Sequence, residues 1–209
     1  MENVILDNVT NLTIDISELV VDSFLNDGLL KDIPIVGTGV NIIKLTSNIS
    51  DTLLLNKLKI FMENLRIINQ NDVERFKEKM KNDKFKKDIG IKLLNIVNKT
   101  DEYIKIKWIA NSFLEYLDGF IDKNFFFRIV TIINNTFVQD IIQLKHIKDK
   151  EEILSNNKRV ESYVLNQLFS NGLLDNCGID GGGASDEVDS GTIYVLNIFG
   201  EYIKKLILK

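Results

Sequence analysis

RVESYVLNQLFSNGLL, residues 159–174, decides how the second half of this chain folds. Val160, Val164 and Leu168 recur at helical intervals, and Gly172 stands where such a helix would close. Downstream, GIDGGGASDEVDSGTIY (178–194) sets three consecutive glycines among carboxylates and runs into the β-branched stretch TIYVLNI (192–198). FGEYIKKLIL (199–208) then returns to a helical pattern. Helix, glycine-rich turn, strand and helix within about 50 residues describe a small α+β segment.

The region upstream reads as helix after helix. LTIDISELVVDSFLN (12–26) spaces Leu12, Ile16, Leu19, Val20 and Phe24 helically. DTLLLNKLKIFMENLRII (51–68) puts Leu54, Leu58, Phe61 and Leu65 on one stripe, while DVERFKEKMKN (72–82) is charged throughout. Phe85, Ile89, Leu93, Leu94 and Val97 mark a further helix. Ile104, Trp108, Phe113 and Leu117 mark another, with Gly119 as its stop. Residues 122–146 read as one long helix opened by Asp122. KDKEEILSNNKR (148–159) is polar and reads as a linker or short helix. The expected organisation is mainly α: a helical bundle over 1–148, then a smaller α+β domain over 149–209 with a Gly/Asp-rich turn.

Composition narrows the function. The 209 residues carry 30 Asp and Glu against 26 Lys and Arg, a net charge of -4 that disfavours an extended phosphate-binding surface but leaves room for a local basic face. One histidine, His146, and one cysteine, Cys177, exclude a multi-histidine metal site, a Cys/His zinc cluster and an internal disulfide within one chain. His146 ends a predicted helix beside Lys145 and Lys148, where a cation favours the helix dipole. No apolar run approaches the length of a membrane span, and the acidic N-terminus lacks a signal-peptide n-region. The expectation is a cytoplasmic protein.

Three stretches invite chemistry. In VGTGVNIIKLT (36–46), Gly37 and Gly39 are one residue apart and Leu45 follows Lys44, so the phosphate-binding order Gly-Lys-Ser/Thr is absent. The apolar segment Ile35, Val36, Gly37, Gly39, Val40 and Ile43 instead suits close helix packing, self-assembly or membrane insertion. In YLDGFIDKNFFFRIV (116–130), Lys123 occupies the glycine position of a calcium loop, and a helix-to-helix turn fits better. The acids Asp180, Asp186, Glu187 and Asp189 also lack calcium-loop order and read as a mobile acidic turn. Asp15/Glu18 and Glu161/Asp175 are ordinary solvated pairs. No catalytic set or cofactor site emerges, and the chain is expected not to be an enzyme.

Two resemblances add to this reading. Residues 116–130 are similar to the turn of TerB-like helical proteins. Gly172-Leu173-Leu174 after a leucine-bearing helix, followed by Tyr194, Leu196 and Gly200, resembles the latter half of a winged-helix domain. That likeness implies a wing between the strands, and a wing this acidic would be repelled by DNA phosphate. Asp32-Ile33-Pro34-Ile35-Val36-Gly37 with the helical middle and this end resembles small bacterial proteins of phage defence, of the abortive-infection alpha type. The resemblance implies an antiviral or host-phage conflict setting. The chain itself is expected to act by binding a protein partner, unidentified or a second copy, with Asp186, Glu187 and Asp189 among the interaction candidates. A transcription regulator and a membrane-perturbing effector using 33–45 are the alternatives.

Overall fold

The computed structural model describes residues 49–68, 78, 81–85, 89–181 and 190–208. They form seven α-helices longer than one turn and a three-stranded antiparallel sheet, so the fold is mainly α with a small β element. The chain divides into two compact units, residues 1–120 and 121–209. Texture alone suggested a division at 148/149. The structure groups the helices of 123–146 with the sheet, because their apolar residues share that unit's core.

In the first unit, α1 (Ile49–Ile68) packs against α2 (Ile91–Lys99) and α3 (Tyr103–Leu117). Leu58, Phe61 and Leu65, spaced i, i+3 and i+7, are buried, as are Ile89, Leu93, Val97, Trp108 and Phe113. Phe61 and Phe113 meet at 5.8 Å between ring centroids, and Phe85 stacks on Tyr116 at 6.3 Å. The Lys57 ammonium donates to the Asn98 carbonyl (2.9 Å), so α1 satisfies an orphan group at the end of α2. Lys105, only 2% exposed, reaches the Asp101 carboxylate at 2.9 Å. Burial raises the Asp101 pKa, but the Lys105 hydrogen bond and charge together with backbone amides outweigh it and hold the group below its ordinary value. Gly119 closes α3 at φ +81, as its sequence position predicted.

The second unit opens with α4 (Lys123–Asn135), whose first turn is capped by Asp122 accepting from the Phe125 amide at 2.8 Å. The long helix expected over 122–146 is broken. The Thr136 hydroxyl donates back to the Ile132 carbonyl (2.7 Å) while its backbone turns extended, and α5 (Val138–Gln143) with the 3-10 turn Leu144–His146 leaves at 112°. The polar stretch after it holds a two-residue strand, β1 (Ile153–Leu154). α6 (Ser162–Ser170), β2 (Leu174–Asp180), β3 (Gly191–Leu196) and α7 (Ile198–Ile207) follow. Sheet order is β1-β3-β2, with Ile153 opposite Tyr194 and Leu174 opposite Leu196. β2 falls partly on sequence read as turn. It is an edge strand exposed along all but its first residue, so no alternating apolar pattern announced it.

Tight junctions fix α6, β2 and α7 to one another. Gly172 adopts φ +81, and the amides of Gly172 and Leu173 bond to the carbonyls of Phe169 and Leu168, a two-bond closure available cheaply only to glycine. Asn197 caps α7 by accepting from the Phe199 and Gly200 amides, each at 3.0 Å. Its side-chain amide donates to the Gly172 carbonyl (3.0 Å) and to Asp175 (3.3 Å). Gly200 lies so close to the turn that a Cβ there would stand 2.1 Å from the Leu173 carbonyl oxygen.

Candidate functional site

Ile35, Val36, Gly37, Gly39, Val40, Ile43, Asp186, Glu187 and Asp189 all lie outside the described residues. Among the described residues, no single helix is long and apolar enough to cross a membrane, and no group of three or more His, Cys, Asp or Glu side chains is placed to hold a metal ion.

The first surface is the outer face of α6. Val164, Leu165 and Leu168 point into the core, which turns Ser162, Tyr163, Asn166, Gln167, Phe169 and Ser170 outward. Tyr163 is 66% and Phe169 40% exposed. The face is anchored from beneath: the Tyr194 hydroxyl of β3 donates to Asn166 Oδ1 (2.7 Å), and the rings of Phe169 and Tyr194 lie 5.6 Å apart. No residue of α6 is charged. The entry to the helix is fixed by Asn157, whose Oδ1 accepts from the Arg159 and Val160 amides at 2.7 and 2.9 Å. Its Nδ2 donates to the carbonyls of Leu154 and Val160. This aromatic and amide surface, held on a rigid element, can offer ring faces and directional hydrogen bonds at little ordering cost.

The second surface is basic and assembled from three chain segments. Lys204 of α7 donates to the Ile147 carbonyl (2.6 Å) and to Asp149 (2.7 Å). Arg159 donates to Glu151 at 3.0 Å and to the His146 carbonyl at 3.4 Å, and the Lys148 amide reaches Glu151 at 3.2 Å. The Lys204 hydrogen bond, aided by the charges of Lys204 and Lys205, holds the Asp149 carboxyl below its ordinary value. The Arg159 hydrogen bond, then the Lys148 amide and the charges of Arg159 and Lys148, do the same for Glu151. Lys145, Lys148, Lys150, Lys158 and Lys205 are exposed on these segments, as is Glu152.

The sequence pointed to His146 with its neighbouring lysines but not to this arrangement. Lys204 lies 55 residues from Asp149, and nothing local relates them. Asp140 was not singled out either. It is 9% exposed in the first turn of α5, and burial raises its pKa. An isolated acid in a short helix carries no sequence signal of burial. Cys177 is exposed on β2 beside the bulge between Asn176 and Gly178. No family model, curated protein or solved structure matches the chain.

Proposed function

We propose that this chain is a non-enzymatic interaction protein whose second unit is a winged-helix-like module used to bind protein through the outer face of α6. Supporting the winged-helix reading are the helix-strand-helix-strand-strand-helix order and the β1-β3-β2 sheet. One observation carries the functional reading: the helix in the position of a recognition helix presents Tyr163, Asn166, Gln167 and Phe169 with no charged residue. Aromatic and amide side chains without lysine are the composition of a protein-binding patch. The resemblance of Asp32–Gly37 and the helical middle to phage-defence proteins supplies the setting, antiviral defence in a bacterial cytoplasm. An unpaired cysteine fits that reducing compartment.

Nucleic acid is the second reading, favoured by the cations at 145–159 near the start of α6 and opposed by the carboxylates that follow it. Two measurements separate them. Co-precipitation from phage-challenged cells is expected to recover a protein with the wild type and to lose it with Tyr163→Ala/Gln167→Ala. Fluorescence anisotropy with labelled duplex DNA at low salt is expected to show no binding. Saturable DNA binding that weakens steeply with salt, together with unchanged co-precipitation by the double variant, would favour the regulator reading instead.

A further inference from the structure

The bulge in β2 sorts the charges of the sheet. Within α6, β1, β2 and β3 the charged side chains are Asp175 and Asp180 alone, both on β2. Five residues apart, they would point to opposite faces of a regular strand. The extra residue between Asn176 and Gly178 returns them to one face, opposite Val195 and Gly191. Asn176 and Ile179, opposite Tyr194 and Thr192, share the other face, on which Tyr194 meets α6. The ladder also fixes where the backbone groups point. The Thr192 carbonyl accepts from the Ser155 amide on the β1 side, so Tyr194 turns that way too, while Ile193 and Val195 turn toward β2. The N–H and C=O groups of Asn176 and Ile179 consequently face away from β3. Every residue from Asp175 to Asp180 is exposed, Ile179 to 79%, and β2 has no lysine or proline to blunt its edge.

We infer that the free edge of β2 docks an extended, basic segment of a partner protein, which joins the sheet as a further strand. Its lysines or arginines lie over Asp175 and Asp180 on one face, and its apolar side chains lie beside Ile179 on the other. Main-chain bonds from Asn176 and Ile179 hold such a strand, and its alternating side chains select it. The bulge at Cys177 interrupts the pairing, so the contact is made by the two flanks of β2. Charge complementarity decides the occupant. The β2 of a second copy brings the same two acids and no cation, whereas a basic strand neutralises both. The site is the edge of the sheet, not the outer face of α6, and does not rest on the reading of that face.

The probe is a fluorescein-labelled peptide in which lysine and valine alternate. It is compared with a twin carrying glutamate for lysine and with a scramble that mixes the two faces. Anisotropy with the full chain at low salt is expected to show saturable binding of the lysine peptide and little of the other two. Amide exchange in the complex should slow at Asn176 and Ile179. Asp180→Lys should weaken the lysine peptide about fivefold and admit the glutamate twin. Ile179→Pro removes an amide that faces away from the ladder, so the strand is kept and binding is lost. Ile179→Thr keeps that amide and should keep binding. Circular dichroism checks that each variant is folded, and if the proline variant is not, Asp180→Lys decides. Absence of saturable binding, equal binding of the scramble, protection away from β2, or full binding by folded Ile179→Pro would overturn the proposal. So would a wild type that self-associates and becomes monomeric with Ile179→Pro, which would make a second copy the occupant.

Discussion

Asn197, half-buried, does four jobs with one side chain, and its removal is expected to be expensive. Asn197→Ala leaves the Phe199 and Gly200 amides without their cap and the Gly172 carbonyl without its donor. Losing the cap alone costs about 1–2 kcal/mol, and urea unfolding should show at least that. Gly200→Ala acts by another route: the new methyl meets the Leu173 carbonyl, a backbone atom that no side-chain rotation can move. Overpacking of this kind costs roughly 1–3 kcal/mol or more, measured the same way. Asp140 tests the opposite sign. Because burial raises its folded-state pKa, ionising it costs stability above that value, and the cost fades as the pH falls. Asp140→Asn is therefore expected to raise the melting temperature at neutral pH, with the gain shrinking in acid. A loss at neutral pH would show that the carboxylate is favourably engaged.

Among the elements, the turn between α5 and β1 is held by two acid-cation pairs that respond to pH together. Asp149 and Glu151 both titrate below their ordinary values in the folded chain. Their stabilisation is complete above the unfolded-state values, near pH 4, and is lost as the pH falls through the folded ones. Protection factors of the amides across 147–159 should fall below about pH 4 while the α6 core amides stay protected. Simultaneous loss of both would mean that the turn is not a separable element. At this scale the sequence was legible where periodicity met a cap. Gly119, Gly172 and Asp122 stand where their residue types predicted, and the first five residues of TIYVLNI became strand while Asn197 and Ile198 open the next helix. It was illegible where tertiary context decided. Nothing in INNTFVQD distinguishes a continuing helix from one that Thr136 breaks, because that threonine also suits a helix surface. The edge strand β2 exposes nearly every residue and so lacks a buried-exposed rhythm. The basic surface depends on α7 returning to residues 147–149, a contact no local pattern encodes. The segment 33–45 and the acids 186–189 lie outside the described residues, so their expected roles stand as read from sequence alone.

For the molecule as a whole, the two units each possess an apolar core of their own, one centred on Phe61, Val97 and Phe113 and the other on Phe126, Ile141, Leu165 and Ile203. A fragment of residues 121–209 is expected to fold alone with a single cooperative transition, and a non-cooperative melt of that fragment would count against an independent core. The chain supplies its own means of watching the two cores apart. Its single tryptophan, Trp108, is buried in the first. Indole-selective emission therefore follows the first core, while far-ultraviolet ellipticity sums over both. Superimposable denaturation curves from the two signals would mean that the cores melt as one. Displaced midpoints would give the first core's transition its own colour, without a label or an engineered probe.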